Sequence, residues 1–183
     1  MFLLLLSRFR TNSECPKKWI ELIGERLNIL LDKSKRDNND YDYDMIKHCI
    51  ILAHTYFYIE KNEKIFIFSK LNKKEYFSDS NFWKNYINLM IIKQLNSNQE
   101  TKTLLFAKEL RTFITGEGIT NNLKNKFNDF LFTQLLHHVN NMIDFNLEKD
   151  NIINVLNYFN EKYKYLSEND YKTILSVILN RMK

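Results

Sequence analysis

Glycine, proline and cysteine are scarce in this chain, whose 183 residues include only 3 Gly, 1 Pro and 2 Cys. All-β folds and dinucleotide-binding folds need many tight turns, which glycine and proline supply. Their scarcity predicts an all-α protein whose helices are joined by polar loops. A chain of this length is typical of one domain, so we expect a single compact bundle over residues 1–183, with about seven to nine helices and no sheet.

Long apolar runs are also lacking. Met1–Leu6 is apolar, but Ser7 and Arg8 interrupt the run. A signal peptide needs a longer apolar stretch, and a transmembrane helix needs about 20 apolar residues. We therefore expect no transmembrane segment. Residues 1–10 are interpreted as a helix that packs in the core. The alternative is peripheral membrane binding, in which Arg8 and Arg10 contact anionic lipid.

The two cysteines, Cys15 and Cys49, show no CxxC spacing and no neighbouring zinc pattern. Reduced thiols in a cytoplasmic protein are the interpretation that fits them best.

Catalytic and metal-binding patterns are also missing from the sequence. His48 and His54 fall on different faces of one helix, and the tandem pair His137 and His138 also diverges. No carboxylate stands where a metal site would need it. We therefore predict no metal, no cofactor and no enzymatic activity.

Helical periodicity is the dominant signal in the sequence. The helix that follows Pro16 has apolar residues at helical spacing, among them Trp19, Leu22 and Leu27. The run Ile65–Phe68 could form a strand, but a lone strand would have no partner, so a helix is predicted there. The predicted helices are 2–10, 16–35, 42–60, 65–71, 80–94, 104–114, 119–145, 148–163 and a last helix that opens at Ser167 and carries Tyr171 to Leu179.

Acidic and hydroxyl residues stand where several of these helices begin. Asp42 or Asp44 can cap one helix, and Ser78 or Ser80 begins another. Ser167 and Asp170 form a capping box with Asp at the third position. Capping is favoured over general acid or base chemistry for these carboxylates, because they lie at the positive end of the helix dipole.

The net charge is +5 and the isoelectric point is about 9.0. Such a charge is compatible with nucleic-acid binding, but the basic residues are spread along the chain and form no basic arm. A nucleic-acid-binding protein is therefore the alternative function, and it requires Lys and Arg to cluster on one face of the fold.

Two segments go beyond a generic helical pattern. The first comprises HTYFY (His54–Tyr58) and EKIFIFSKLNKKEYFSDSNFW (Glu63–Trp83). The second comprises FTQLLHHVNNMIDFNLEKDNIINVL (Phe132–Leu156) and LSENDYKTILSVI (Leu166–Ile178). Together they resemble a helical domain shared by three groups of eukaryotic proteins. These are the SET-binding-factor myotubularin-related pseudophosphatases, the C-terminal region of DENN/MADD Rab exchange factors, and an uncharacterised brain protein.

The resemblance covers about residues 45–180, and the membership of residues 1–40 is less certain. Phe77 stands where the family usually has its first tryptophan. The resemblance implies a non-catalytic interaction or scaffold domain linked to Rab exchange factors and vesicle traffic, with a protein partner. It carries over no catalytic residues.

Phe82, Trp83 and Tyr86 are the candidate partner-binding residues, because tryptophan and tyrosine dominate binding hot spots. In this hypothesis Phe82 or Trp83 is part-exposed and anchors a partner helix in an apolar groove with a basic rim. The competing interpretation makes Phe82 and Trp83 core anchors.

Overall fold

A computed structural model describes residues 13–36, 40–71, 74–97, 121–164 and 166–182. The helices predicted over 2–10 and 104–114 lie outside these ranges. The chain divides into two compact units, Met1–Lys74 and Glu75–Lys183, which are described separately. The single domain over 1–183 stays a prediction.

The first unit contains two α-helices and a hairpin in its described part. Helix α1 (Lys17–Lys33) begins after Pro16, whose carbonyl accepts hydrogen bonds from the amides of Trp19 and Ile20. Helix α2 (Tyr43–Thr55) is capped by Asp42, whose carboxylate accepts from the Met45 amide at 3.0 Å. This confirms the predicted cap. Both helices pack on a 3-10 turn, Ile67–Lys70.

The predicted absence of a sheet is wrong. Helix α2 ends at Thr55, and strands β1 (Phe57–Glu60) and β2 (Glu63–Phe66) form an antiparallel hairpin. Lys61 and Asn62 join them with positive φ angles of 52° and 66°, as a tight hairpin turn requires. The strand in Glu63–Phe66 therefore has a partner, supplied by residues that the sequence pattern assigned to the preceding helix.

A third segment extends the small sheet. The amide of Phe57 donates to the Ser13 carbonyl at 3.1 Å, and the amide of Cys15 donates to the Phe57 carbonyl at 2.8 Å. Glu14 thereby forms a parallel bridge with Phe57. Strand β1 therefore pairs with β2 along its length and, at Phe57, with residues 13–15 on its other side.

The second unit is helical throughout its described part. A 3-10 turn (Glu75–Ser78) leads into α3 (Ser80–Ser97), followed by α4 (Asn121–Asp144), α5 (Lys149–Tyr163) and α6 (Glu168–Arg181). Helix α3 contacts α4 and α5, and α6 contacts α4 and α5. The described residues thus hold six α-helices rather than seven to nine, and the protein is mostly helical.

Candidate functional site

The three predicted partner-binding residues come together in the second unit, but they lie in its core. Trp83 is 0% exposed, and Phe82 and Tyr86 are each 2% exposed. The ring centroids of Phe82 and Trp83 are 5.5 Å apart, and those of Trp83 and Tyr86 are 5.8 Å apart. The hypothesis that Phe82 or Trp83 is part-exposed and anchors a partner helix is therefore wrong, because both side chains are buried.

Phe77 explains why Trp83 is fixed inside. Its ring centroid lies 5.7 Å from that of Trp83 and 4.3 Å from that of Phe145. The indole N–H of Trp83 donates to the Phe77 carbonyl at 2.8 Å, which satisfies the one polar atom of a buried tryptophan. Phe82 and Trp83 are core anchors, which was the competing sequence interpretation.

Six large apolar side chains are exposed in the described ranges, and three of them lie on α1, whereas Ile59, Ile92 and Leu179 lie singly on β1, α3 and α6. Trp19 is 63% exposed, Leu22 is 54% exposed and Ile29 is 44% exposed. Side chains three, seven and ten residues apart share one face of a helix. These three residues, with the exposed Arg26 and Lys33 between and after them, are called the α1 stripe.

The buried face of α1 explains how the stripe comes to be exposed. This face contacts α2, β1 and the 3-10 turn Ile67–Lys70. At 100° per residue it points away from the stripe. The residues that the helix buries are Ile20, Ile23, Gly24, Leu27 and Leu31.

The sequence assigned Trp19 and Leu22 to the same apolar set as Leu27. Two apolar sets overlap along α1, and periodicity alone did not separate the exposed set from the buried one. The predicted apolar surface therefore does not lie at Phe82 and Trp83, which are both buried. The charged residues Lys18, Glu25 and Asp32 all lie along one side of the α1 stripe.

An open cleft of about 530 Å³ lies at the start of α1, between residues 14–17 and residues 58–60 of β1. Lys17 and Glu60 form an ion pair at 2.8 Å on its rim. Their hydrogen bond raises the pKa of Lys17 and lowers the pKa of Glu60. Cys15 also lines the cleft, and burial raises the pKa of its thiol. The cleft therefore presents an ion pair and a protonated thiol.

A second polar cluster joins α3 and α5. Asn88 donates to the Tyr158 hydroxyl at 3.3 Å, and the Lys162 ammonium donates to the Asn88 side-chain oxygen at 2.7 Å. The Asn88 hydrogen bond, followed by that of Lys162, lowers the pKa of Tyr158, and the charge of Lys84 adds to the effect. These hydrogen bonds join α3 to α5.

The four histidines do not converge on a metal-binding arrangement. Within the described ranges, no group of three or more His, Cys, Asp or Glu could hold a metal ion. His48 and His54 bond to carbonyls of their own helix, at Asp44 and Ile50. In the same ranges, no helix is both long enough and apolar enough to cross a membrane.

Comparison with known proteins gave no matching family model, no matching curated protein and no matching solved structure.

Proposed function

We propose that this chain is a non-catalytic interaction domain and that the α1 stripe is its protein-docking surface. The observation that supports this is the exposed line of Trp19, Leu22 and Ile29 on one helix. Isolated exposed apolar residues are normal on proteins. Three on the outer face of one helix, with Arg26 between Leu22 and Ile29, form an apolar line, which favours a docking site over scattered exposure.

The chemistry of the stripe favours an amphipathic helix as its partner. Such a helix lays its apolar face on an apolar stripe through anchors spaced three and four residues apart. Arg26 interrupts the stripe and forms no ion pair within the described residues. The partner helix is therefore expected to carry an acidic side chain near its apolar anchors, opposite Arg26.

The family resemblance supports a more particular proposal. By that resemblance the partner belongs to Rab exchange-factor assemblies in vesicle traffic, and the domain acts as a scaffold in the cytoplasm. Nucleic-acid binding and membrane binding through residues 1–10 are the competing functions, and the experiment includes both as outcomes.

The test is affinity capture from cell lysate, followed by reconstitution of the captured protein with the purified chain. Leu22→Glu should abolish capture, because it places a charge within the stripe. Leu179→Glu is the matched control, since Leu179 is 43% exposed on α6. Circular dichroism and melting must show that both variants are folded.

Three outcomes would overturn the proposal. Capture could survive Leu22→Glu, or it could be lost equally in Leu179→Glu. The intact chain could also retain only nucleic acid or anionic vesicles. Deleting residues 1–10 identifies the vesicle case, because membrane binding through that segment would then disappear while the fold persists.

A further inference from the structure

The α1 stripe has the spacing of a helix–helix seam. Its five positions, Trp19, Leu22, Arg26, Ile29 and Lys33, are alternately three and four residues apart. This alternation defines the a and d positions of a heptad, which face a second helix lying alongside. Helix α1 has 17 residues and is about 25 Å long, so the seam runs along most of it.

Charged residues flank the seam at heptad spacing. Lys18, Glu25 and Asp32 are exposed on the same side of α1, at the g positions that select a partner helix. Lys18 and Glu25 form no ion pair in the part of the chain that the structure describes. Asp32 bonds to Lys74 at 2.7 Å, but its side chain stays 65% exposed and can accept a second cation.

The order of these charges favours a copy of α1 running in the opposite direction. In a parallel copy the g positions face the e positions of the second helix, which here are Ile23 and Leu30, so Lys18, Glu25 and Asp32 would find no charged partner there. An antiparallel copy instead places Lys18 beside Asp32 of the second copy. The two Glu25 carboxylates then meet at the axis, within reach of both Arg26 guanidinium groups.

We propose that the helix recognised by the α1 stripe is α1 of a second copy of this chain, packed antiparallel about a two-fold axis. This inference rests on the proposed function, because it uses the same surface. Trp19 packs against Ile29 of the second copy, and Leu22 packs against the aliphatic stem of its Arg26. Two-fold symmetry repeats each of these contacts, as in other isologous dimers.

The size of the seam sets the strength of the dimer. One pair of helices of this length buries less than the roughly 800 Å² per partner that is typical of stable complexes. A dissociation constant on the order of 100 µM is therefore expected. Such a dimer dissociates on dilution and leaves the stripe free for another helix, so self-association and partner capture compete.

Sedimentation equilibrium and tryptophan emission test the proposal on the full-length chain. Above the expected dissociation constant, the mass should rise toward that of a dimer and the emission should shift to the blue as Trp19 becomes buried. The matched variant Trp19→Phe should keep most of the mass change and lose the emission shift. Trp83 is already 0% exposed, so its emission does not change on pairing.

Charge exchange tests the register and direction of the pair. Glu25→Arg alone and Arg26→Glu alone should each weaken the dimer about tenfold or more. In either variant all four charged side chains at the axis, two from position 25 and two from position 26, carry the same sign. The double variant should have a dissociation constant within about threefold of that of the original chain. Glu63→Arg, on the exposed hairpin, is the matched control and should leave the dimer unchanged.

A chain that stays monomeric at all concentrations would overturn the dimer. Failure of the double variant to restore association would overturn the antiparallel register. The two proposals fail separately. A monomer that still captures a helical protein through Leu22 removes the dimer alone, whereas a dimer that captures nothing removes the role in recruiting other proteins.

Discussion

Each unit of this protein contains one tryptophan near the start of a helix, and the two indoles have opposite environments. Trp19 in the first unit is 63% exposed, whereas Trp83 in the second is 0% exposed. Both sit among apolar residues at helical spacing. The difference lies in the neighbours, because the described part of the chain packs on one face of α1, whereas Phe77 and Phe145 enclose Trp83. A helical apolar pattern therefore identifies a helix but does not show which apolar face is covered.

The largest expected effect comes from truncating each tryptophan in turn. Trp83→Ala should lower the free energy of unfolding by about 3–5 kcal/mol, because it leaves a cavity in the core. Trp19→Ala should change it by less than about 0.5 kcal/mol, as exposed substitutions usually do. Urea unfolding followed by circular dichroism measures both. Equal losses in the two variants would contradict the assignment of Trp19 to the surface.

The two cysteines of the first unit show a similar contrast, here between a partly buried and a fully buried side chain. Cys49 is fully buried in α2, and burial raises the pKa of its thiol to about 12. Cys15 is only partly buried. We expect a thiol reagent at neutral pH to modify Cys15 at least about a hundredfold faster, because Cys49 must wait for the unit to open.

Mass spectrometry of timed samples measures this ratio. The variant Cys15→Ser provides the control, since it should show only the slow reaction until denaturant is added. Comparable rates for both thiols in the native chain would mean that α2 is not packed as described.

Asp42 provides a smaller, pH-dependent effect. Its carboxylate accepts from the Met45 amide, which lowers its pKa, with a further contribution from Arg36. The folded pKa is therefore below the unfolded value of about 4. The stabilisation is complete above that value and is lost as the pH falls through the folded pKa. Asp42→Ala should cost about 1 kcal/mol at neutral pH.

The difference in stability between the original chain and Asp42→Ala should become smaller in acid, as measured by thermal unfolding at several pH values. Asp42→Asn is the matched control, because its amide oxygen still caps the helix without titrating at these pH values. A difference that does not change with pH would show that the charge of Asp42 plays no part.

The smallest predicted change is a gain in stability. A Cβ added to Gly24 would lie 3.4 Å from Lys70 Cβ and 3.8 Å from the Ile67 side chain, which are ordinary contacts. Glycine inside a helix costs about 1 kcal/mol relative to alanine. Gly24→Ala should therefore stabilise the first unit by about 0.5–1 kcal/mol in urea unfolding. A loss of stability would show that α1 must approach the 3-10 turn more closely than alanine allows.

Most helices were predictable because local signals agree with tertiary packing in α4, α5 and α6. The cap at Ser167 was also predictable, since its hydroxyl accepts from the Asp170 amide at 3.1 Å. The second hydrogen bond of the capping box was not predictable, because the Ser167 amide donates to the side-chain oxygen of Asn128 in α4 at 2.9 Å. Likewise Asp79, rather than a serine, accepts the amide of Asn81 at the start of α3. Such partners depend on contacts and on backbone turns that residue spacing does not encode.

The hairpin escaped prediction for a related reason. Phe57, Tyr58 and Ile59 continue the apolar pattern of α2, so periodicity extended the helix through them. The turn at Lys61 and Asn62 was the local signal for a hairpin, since Asn adopts positive φ readily. Aromatic composition favoured surface positions for Phe82 and Trp83, and this was wrong because exposure is a property of the packed chain.

The arrangement of the small sheet bears on how readily its edges could bind a foreign strand. Strand β1 pairs with β2 on one side, and at Phe57 it also pairs with residues 13–15 on the other. The outer strand β2 has only four residues and begins with Glu63 and Lys64. Short, charged edges are poor templates for adding foreign strands. The outer edge of this sheet is therefore a poor place for a fibril to begin, even though the same unit exposes an apolar helix face.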